Sequence, residues 1–341
     1  MNKEVEVTLV SFSNIEKDGR LKELYKVCQR LGTTQVIDRK NESIIKYFFK
    51  LIFKSRNCKY LVVDNRAVIP FTLLLLFLKK FQYIIQDCRE MYFFEEQKTL
   101  KSKIGCIFEK KLIKKANIIL VANKYRARIM KKYYSLKLEP IVFENIRKLE
   151  DTQENINFES KYSDFFEENS FKIISTSGYQ NTDIENQLIK TVLGMKENIK
   201  LYFIGNNNPI NQNLVEEGNK KIYFINRVSL EELKYILKQV NIGYVGYEIV
   251  NLNTKYCASG KIYEYLYEDL PILAYKNIPL KKFVDKYKIG VSGDNFNELI
   301  NELENNYAKY KKNIEVVKNK ISELEKENIL LVVQQIRQRI I

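Results

Sequence analysis

The chain contains no histidine. That absence removes imidazole general bases, Ser-His-Asp triads and His-ligated zinc. Proton transfer near neutral pH must then use a carboxylate, a tyrosine, a lysine, a cysteine or a phosphate of the substrate. Glycine (12) and proline (5) are scarce among the 341 residues, which excludes collagenous and proline-rich segments. The five cysteines, Cys28, Cys58, Cys88, Cys106 and Cys257, lie far apart, form no CxxC pair and are odd in number. They are expected as reduced, small buried hydrophobes of a cytoplasmic protein and not as a disulfide framework. Long apolar runs are missing too. The most apolar stretch, residues 67–78 (AVIPFTLLLLFL), has 12 residues, short of the roughly 20 needed to span a bilayer, and reads as a buried helix. The first residues, MNKEVEVTLVSF, go straight into strand-like alternation with no signal-peptide core.

What is present fits a globular protein. Apolar residues make up 45% and charged residues 29%, enough for a substantial core, and the length suits two domains. The net charge of +15 favours anionic partners. It is uneven: residues 98–137 hold 13 Lys/Arg against one acid, Glu109. This segment suits a solvated face, an anionic membrane surface or a nucleic acid. Its apolar residues Ile104, Ile107, Phe108 and Leu112 recur at three- to four-residue spacing, which favours a surface-lying helix on anionic lipid, although the same stripe suits a helix packed on its own sheet. No nucleic-acid-binding signature is present, and no nucleic-acid partner is expected.

Strand-like and helix-like segments alternate along the chain. Strands are expected at 5–12, 34–38, 60–63, 83–86, 117–121 and 140–143, with helices between them. After an acidic stretch at 149–170, strands recur at 172–175, 200–204, 221–225, 241–245 and 272–274. Apolar strands alternating with helices predict an α/β fold of parallel sheets covered on both faces. Two Rossmann-like doubly wound domains facing a central cleft are expected: 1–148, a linker at 149–170, and 171–308. Residues 309–341 form a long helix with Ile314, Val317, Ile321 and Leu324 on one stripe, packing back across the interface or pairing with a partner. Ligands of such sheets sit beyond the carboxyl ends of the strands, which directs attention to Asn14, Asp64, Asp87, Asn123 and Glu144. Gly19 and Arg20 follow the first strand, facing an acceptor or a phosphate.

The segment 254–273, TKYCASGKIYEYLYEDLPIL, carries the most chemistry. Small residues, Ala258, Ser259 and Gly260, open a helix whose free N–H groups can hold a diphosphate. Lys261 adds a charge, and Glu264 lies one turn in, where a carboxylate can accept two hydroxyls of a ribose. A plainly capped helix with a solvated glutamate fits the same residues. This segment resembles the nucleotide-sugar motif of GT-B glycosyltransferases, particularly the large retaining family (glycosyl transferases group 1, family 4-like) of bacterial polysaccharide assembly.

The resemblance extends to Thr176-Ser177-Gly178, to Phe203-Ile204-Gly205-Asn206 and to the loop Asn226-Arg227-Val228 before Ser229. It implies a UDP- or GDP-sugar donor held by Gly178, Tyr179, Asn206, Arg227, Val228, Ser259, Gly260, Lys261 and Glu264, with no separate cofactor and no metal. The first half matches in architecture and in Asp87-Cys88-Arg89-Glu90, which makes Asp87, Arg89 and Glu90 the catalytic candidates; Asp87 and Arg89 also suit a simple ion pair. An acceptor that is a glycan or a lipid-linked glycan implies a cytoplasmic protein peripheral on the inner membrane face. The sequence departs from the family at Tyr256, eight residues before Glu264, where many members carry an acid. It departs again after Gly178, where the usual Arg and Lys are absent. A sugar-nucleotide epimerase on the same fold and a non-enzymatic binder of anionic lipid or nucleic acid are the alternatives.

Overall fold

The computed structural model describes residues 4–16, 18–146, 148–149, 157–163, 165–166, 169–205 and 219–340. They divide into two compact units, residues 1–147 with 323–341, and residues 148–322.

The first unit is built on β1 (Val7–Ser11), β2 (Thr34–Asp38), β3 (Cys58–Asp64), β4 (Phe81–Cys88), β5 (Ile118–Val121) and β6 (Ile141–Val142). All pair in parallel, in the order β2-β1-β3-β4-β5-β6. Because side chains alternate across a strand, each strand feeds two cores. Val7 and Leu9 of β1 and Tyr60 and Val62 of β3 meet the helix Gly19–Leu31 and the end of the helix Tyr307–Arg339. Val10, Leu61 and Val63 point the other way, to the helices Ile44–Lys54, Ile69–Leu78 and Leu100–Ile113. The expected buried helix at 67–78 needs correction. Its helical part, Ile69–Leu78, buries only Ile69, Thr72 and Leu75, and Phe77 is 84% exposed.

The second unit has β7 (Phe171–Ser175), β8 (Ile199–Ile204), β9 (Ile222–Ile225), β10 (Ile242–Val245), β11 (Ile272–Tyr275) and β12 (Gly290–Gly293), again all parallel, in the order β12-β11-β10-β7-β8-β9. The described part of the acidic stretch 149–170 includes a short helix, Asn157–Tyr162, whose Tyr162 is buried. Local signals account for several ends. Ser229 caps the helix Leu230–Lys238, with Glu232 returning the bond to the Ser229 N–H at 3.0 Å. Lys221 donates to the last carbonyls of the helix Asp183–Gly194, Leu193 and Met195, at 3.1 and 2.7 Å.

The helix Tyr307–Arg339 contributes to both units. Tyr310 joins the second core, and Val332, Val333 and Ile336 are buried in the first. Its far end is pinned by Arg339 to the Glu139 carbonyl at 2.7 Å.

Candidate functional site

In the second sheet the chain runs from β7 through β8 to β9, then returns on the other side of β7 as β10. Strand order reverses between β7 and β10, the place where open parallel sheets bind ligands beyond the strand ends. Tyr265 stands over this boundary. Its hydroxyl accepts the Thr176 N–H at 3.0 Å and donates to the Tyr244 carbonyl at 3.0 Å. Burial raises the phenol pKa, which keeps the donating proton in place. The ring lies against Gly243 of β10, where a Cβ would come within 2.3 Å of it.

Tyr265 belongs to the helix Lys261–Tyr267, entered from Gly260 with no side-chain cap. Lys261 Nζ donates to the Thr176 carbonyl at 2.5 Å and reaches its Oγ1 at 3.1 Å. The helix start and the loop after β7 are thus tied twice. Glu264, one turn in, is buried, and so is Ser259, whose Oγ accepts from the Tyr247 hydroxyl at 2.9 Å. Asn277 fixes the loop that carries Tyr247. Fully buried, it accepts the Tyr247 N–H at 3.1 Å and donates to the carbonyls of Tyr247 (2.8 Å) and Thr254 (2.9 Å). Asn277 and Tyr247 carry no mark in the sequence; both lie outside the motif, and only their bonds to it single them out.

The loops after β7 and β8 meet as bare backbone. Gly178 has φ +69° and Gly205 φ +140°, and a Cβ on Gly205 would sit 3.0 Å from the Gly178 nitrogen. Both positions require glycine for this approach. The Tyr179 side chain is fully buried, edge-on to Phe203 and Phe224, and packs the core. Arg227 is exposed with no ion-pair partner among the described residues, and Val228 is half-buried; both follow β9, two strands from β7. Asn206 lies outside the described residues.

In the first unit strand order reverses between β1 and β3, and a charged network occupies that edge. Ser11 Oγ donates to Asp64 at 2.5 Å across the boundary. Asp64 stands in register with Asp87 of β4, so two carboxylates come side by side and each takes its own arginine. Asp87 is fully buried and receives both Nε (3.0 Å) and Nη2 (2.8 Å) of Arg20, which also donates to the Phe143 carbonyl. Arg89 spans Asp64 and Asp18, each at 2.6 Å. Burial pushes the Asp64 carboxyl up to about 6 against the pull of Arg89. Asp18 is also partly desolvated, yet the Arg89 charge and hydrogen bond hold it below its ordinary value.

Two expectations change here. Asp87 does not pair with Arg89; both its oxygens accept from Arg20. Arg20, expected to face a ligand, is its buried partner. Of the three catalytic candidates only Glu90 keeps a substantially exposed carboxylate, 3.4 Å from the buried Arg126, which also bonds the Arg89 carbonyl. Asn123 caps the helix Lys124–Tyr133 and Asn14 closes a local turn; neither is aimed at a ligand by these bonds.

No family model matches this sequence, and no curated protein matches it. Solved structures do. The chain is similar to sucrose-phosphate synthase from Thermosynechococcus elongatus, at a TM-score of 0.70 and 11% identity over 98% of this chain and 99% of that one. It is similar to a glycosyltransferase from Rickettsia africae, at 0.69 and 13% over 99% of each. It is also similar to Anabaena HepE in complex with UDP-glucose, at 0.67 and 10% over 98% and 99%. At these identities the likeness is one of fold, and by fold the chain resembles the GT-B glycosyltransferases.

Proposed function

We propose that this chain is a glycosyltransferase moving a hexose from a UDP- or GDP-sugar to a glycan or lipid-linked acceptor of cell-surface polysaccharide synthesis, without metal or cofactor. The observation that supports this best is Glu264, a buried carboxylate one turn into a helix that starts at a glycine beside the β7–β10 reversal. A carboxylate there suits the two hydroxyls of a ribose, and uncapped N–H groups suit the diphosphate. The UDP-glucose held by HepE fits the same donor class. As the bond to the sugar breaks, negative charge collects on the leaving diphosphate. Arg227, unpaired among the described residues, and Lys261 are the cations for it. With Asp87 committed to Arg20, Glu90 is the carboxylate we assign to the first unit's chemistry, with Arg89 held in place beside it.

A melting screen against UDP- and GDP-sugars tests the donor site. A ligand at a hundred times its Kd stabilises by about 2.7 kcal/mol, so at least one donor should raise Tm clearly, with EDTA present, and Glu264→Gln should abolish that rise. No shift with any nucleotide sugar, or a shift untouched by Glu264→Gln, would sink the reading. Product analysis then fixes the reaction: nucleoside diphosphate appears only as an acceptor gains sugar. A sugar altered with no acceptor present would mean epimerisation instead.

A further inference from the structure

The helices Ile44–Lys54 and Ile69–Leu78 cover one face of the first sheet. In a doubly wound unit the outer side of such helices faces water and should be polar. Here it is not. Tyr47 and Leu51 are the buried residues of the first helix, and Ile69, Thr72 and Leu75 those of the second. Ile45, Phe49, Phe53, Leu74, Phe77 and Leu78 all point outward, with Phe53 80% and Phe77 84% exposed. The patch is continuous. Phe53 stacks on Phe49 at 6.2 Å, Phe49 meets Phe48 at 5.8 Å, and Phe48 meets Phe71 of the second helix at 5.8 Å. Contiguous exposed apolar surface of this kind marks a docking site.

Charge identifies the occupant. Residues 43–84 contain a single acid, Asp64, and it is fully buried. Lys46, Lys54 and Lys80 are exposed around the aromatic rows. Lys50 turns inward to the Asp38 carbonyl at 2.7 Å and adds nothing outside. Protein interfaces are depleted in lysine, whereas helices lying in a lipid headgroup layer combine Phe and Leu with flanking lysines. No helix of the described residues is long and apolar enough to cross a membrane. We propose that this face seats the protein on an anionic lipid bilayer, with Phe49, Phe53, Leu74 and Phe77 entering the headgroup boundary and the lysines meeting the phosphates. The basic segment 98–137 is then the border of the seat and not its centre. Its helix Leu100–Ile113 packs beside Ile69–Leu78 and exposes Ile104 and Ile107.

Sedimentation of the full chain with vesicles tests this, using phosphatidylcholine alone and phosphatidylcholine mixed equally with phosphatidylglycerol. The wild type should pellet with the mixed vesicles and bind the neutral ones at least about tenfold more weakly, from the loss of several lysine–lipid contacts. Phe53→Ser with Phe77→Ser should lower partitioning about tenfold or more for each ring removed, with Tm and nucleotide-sugar binding in solution unchanged, since both rings face solvent. Failure to pellet with either vesicle, equal binding to neutral vesicles, or a double variant that pellets like the wild type would overturn the proposal. So would a wild-type dimer that the double variant converts to monomer, because the face would then join two copies of this chain.

Discussion

Glu109 is the one acid beside the 13 bases of residues 98–137, and it points inward. Its Oε2 has no hydrogen-bond partner among the described residues, and burial raises its pKa to about 8, opposed only by Arg66. The folded pKa lies above the unfolded value, so the folded state holds the proton over a window in which the unfolded state has released it. Stability from this group is present at low pH and lost as pH rises towards 8. Without histidine, no other side chain has its ordinary pKa between 6 and 8. The unfolding free energy from urea titrations should therefore fall by on the order of 2 kcal/mol between pH 6 and pH 8. Glu109→Gln should remove most of that slope, leaving the small part just above pH 6 that Asp64, raised to about 6, contributes, and be the more stable protein at pH 8; a slope that persists undiminished in the variant would place its cause elsewhere. Asp87 makes a contrasting case. Replacing it with Asn leaves Arg20 buried without its charge partner and should cost about 3–5 kcal/mol, read as a lower urea midpoint, well before any effect on chemistry. Neither role was legible in the sequence. Asp87 at a strand end looks like a site residue, and its partner Arg20 lies 67 residues away, a distance only the strand order closes.

At the scale of elements, strands were legible wherever apolar residues clustered between polar turns, and so was the helix that Ser229 and Glu232 cap. The stretch 67–78 was not. A run with no polar residue but Thr72 carries no periodicity, so its sequence cannot tell a buried face from an exposed one. β12 was missed because Gly290-Val291-Ser292-Gly293 has almost no strand pattern; Gly290 is there because a Cβ would meet the Ile272 carbonyl at 2.0 Å. The motif helix Lys261–Tyr267 was legible from its small-residue entry, but its mounting was not, because that depends on Gly243 in another strand. Gly243→Ala should drive the Tyr265 ring off β10 and cost about 1–3 kcal/mol. It should also loosen Thr176 from the helix start, so the Tm rise given by a nucleotide sugar should shrink more than in a surface glycine variant such as Gly194→Ala, where an added Cβ meets nothing within 4 Å. Equal donor stabilisation in the two variants would separate the Tyr265 post from donor binding.

At the scale of the whole molecule, one helix serves two cores. Residues 307–322 of Tyr307–Arg339 belong to the second unit and the remainder to the first, so the first unit is completed by the far end of the chain. The stripe of Ile314, Val317 and Ile321 was visible in the sequence, and all three are buried; the destination of the last turns was not visible, because Val332, Val333 and Ile336 look like any apolar helix end. The consequence is a separable pair of perturbations on one element. Ile336→Ala opens a cavity among Val7, Leu9, Val27 and their neighbours and should cost about 2–5 kcal/mol. Tyr310→Ala removes a ring from the core around Leu188 and Leu303 and should cost about 3–5 kcal/mol. Hydrogen exchange read by mass spectrometry should show lost protection in β1 and β3–β5 for the first variant and in β7, β8 and β10 for the second, because local stability follows the core that each residue fills. If either variant instead deprotected both sheets alike, the two units would unfold as one, and the long helix would be the element that couples them.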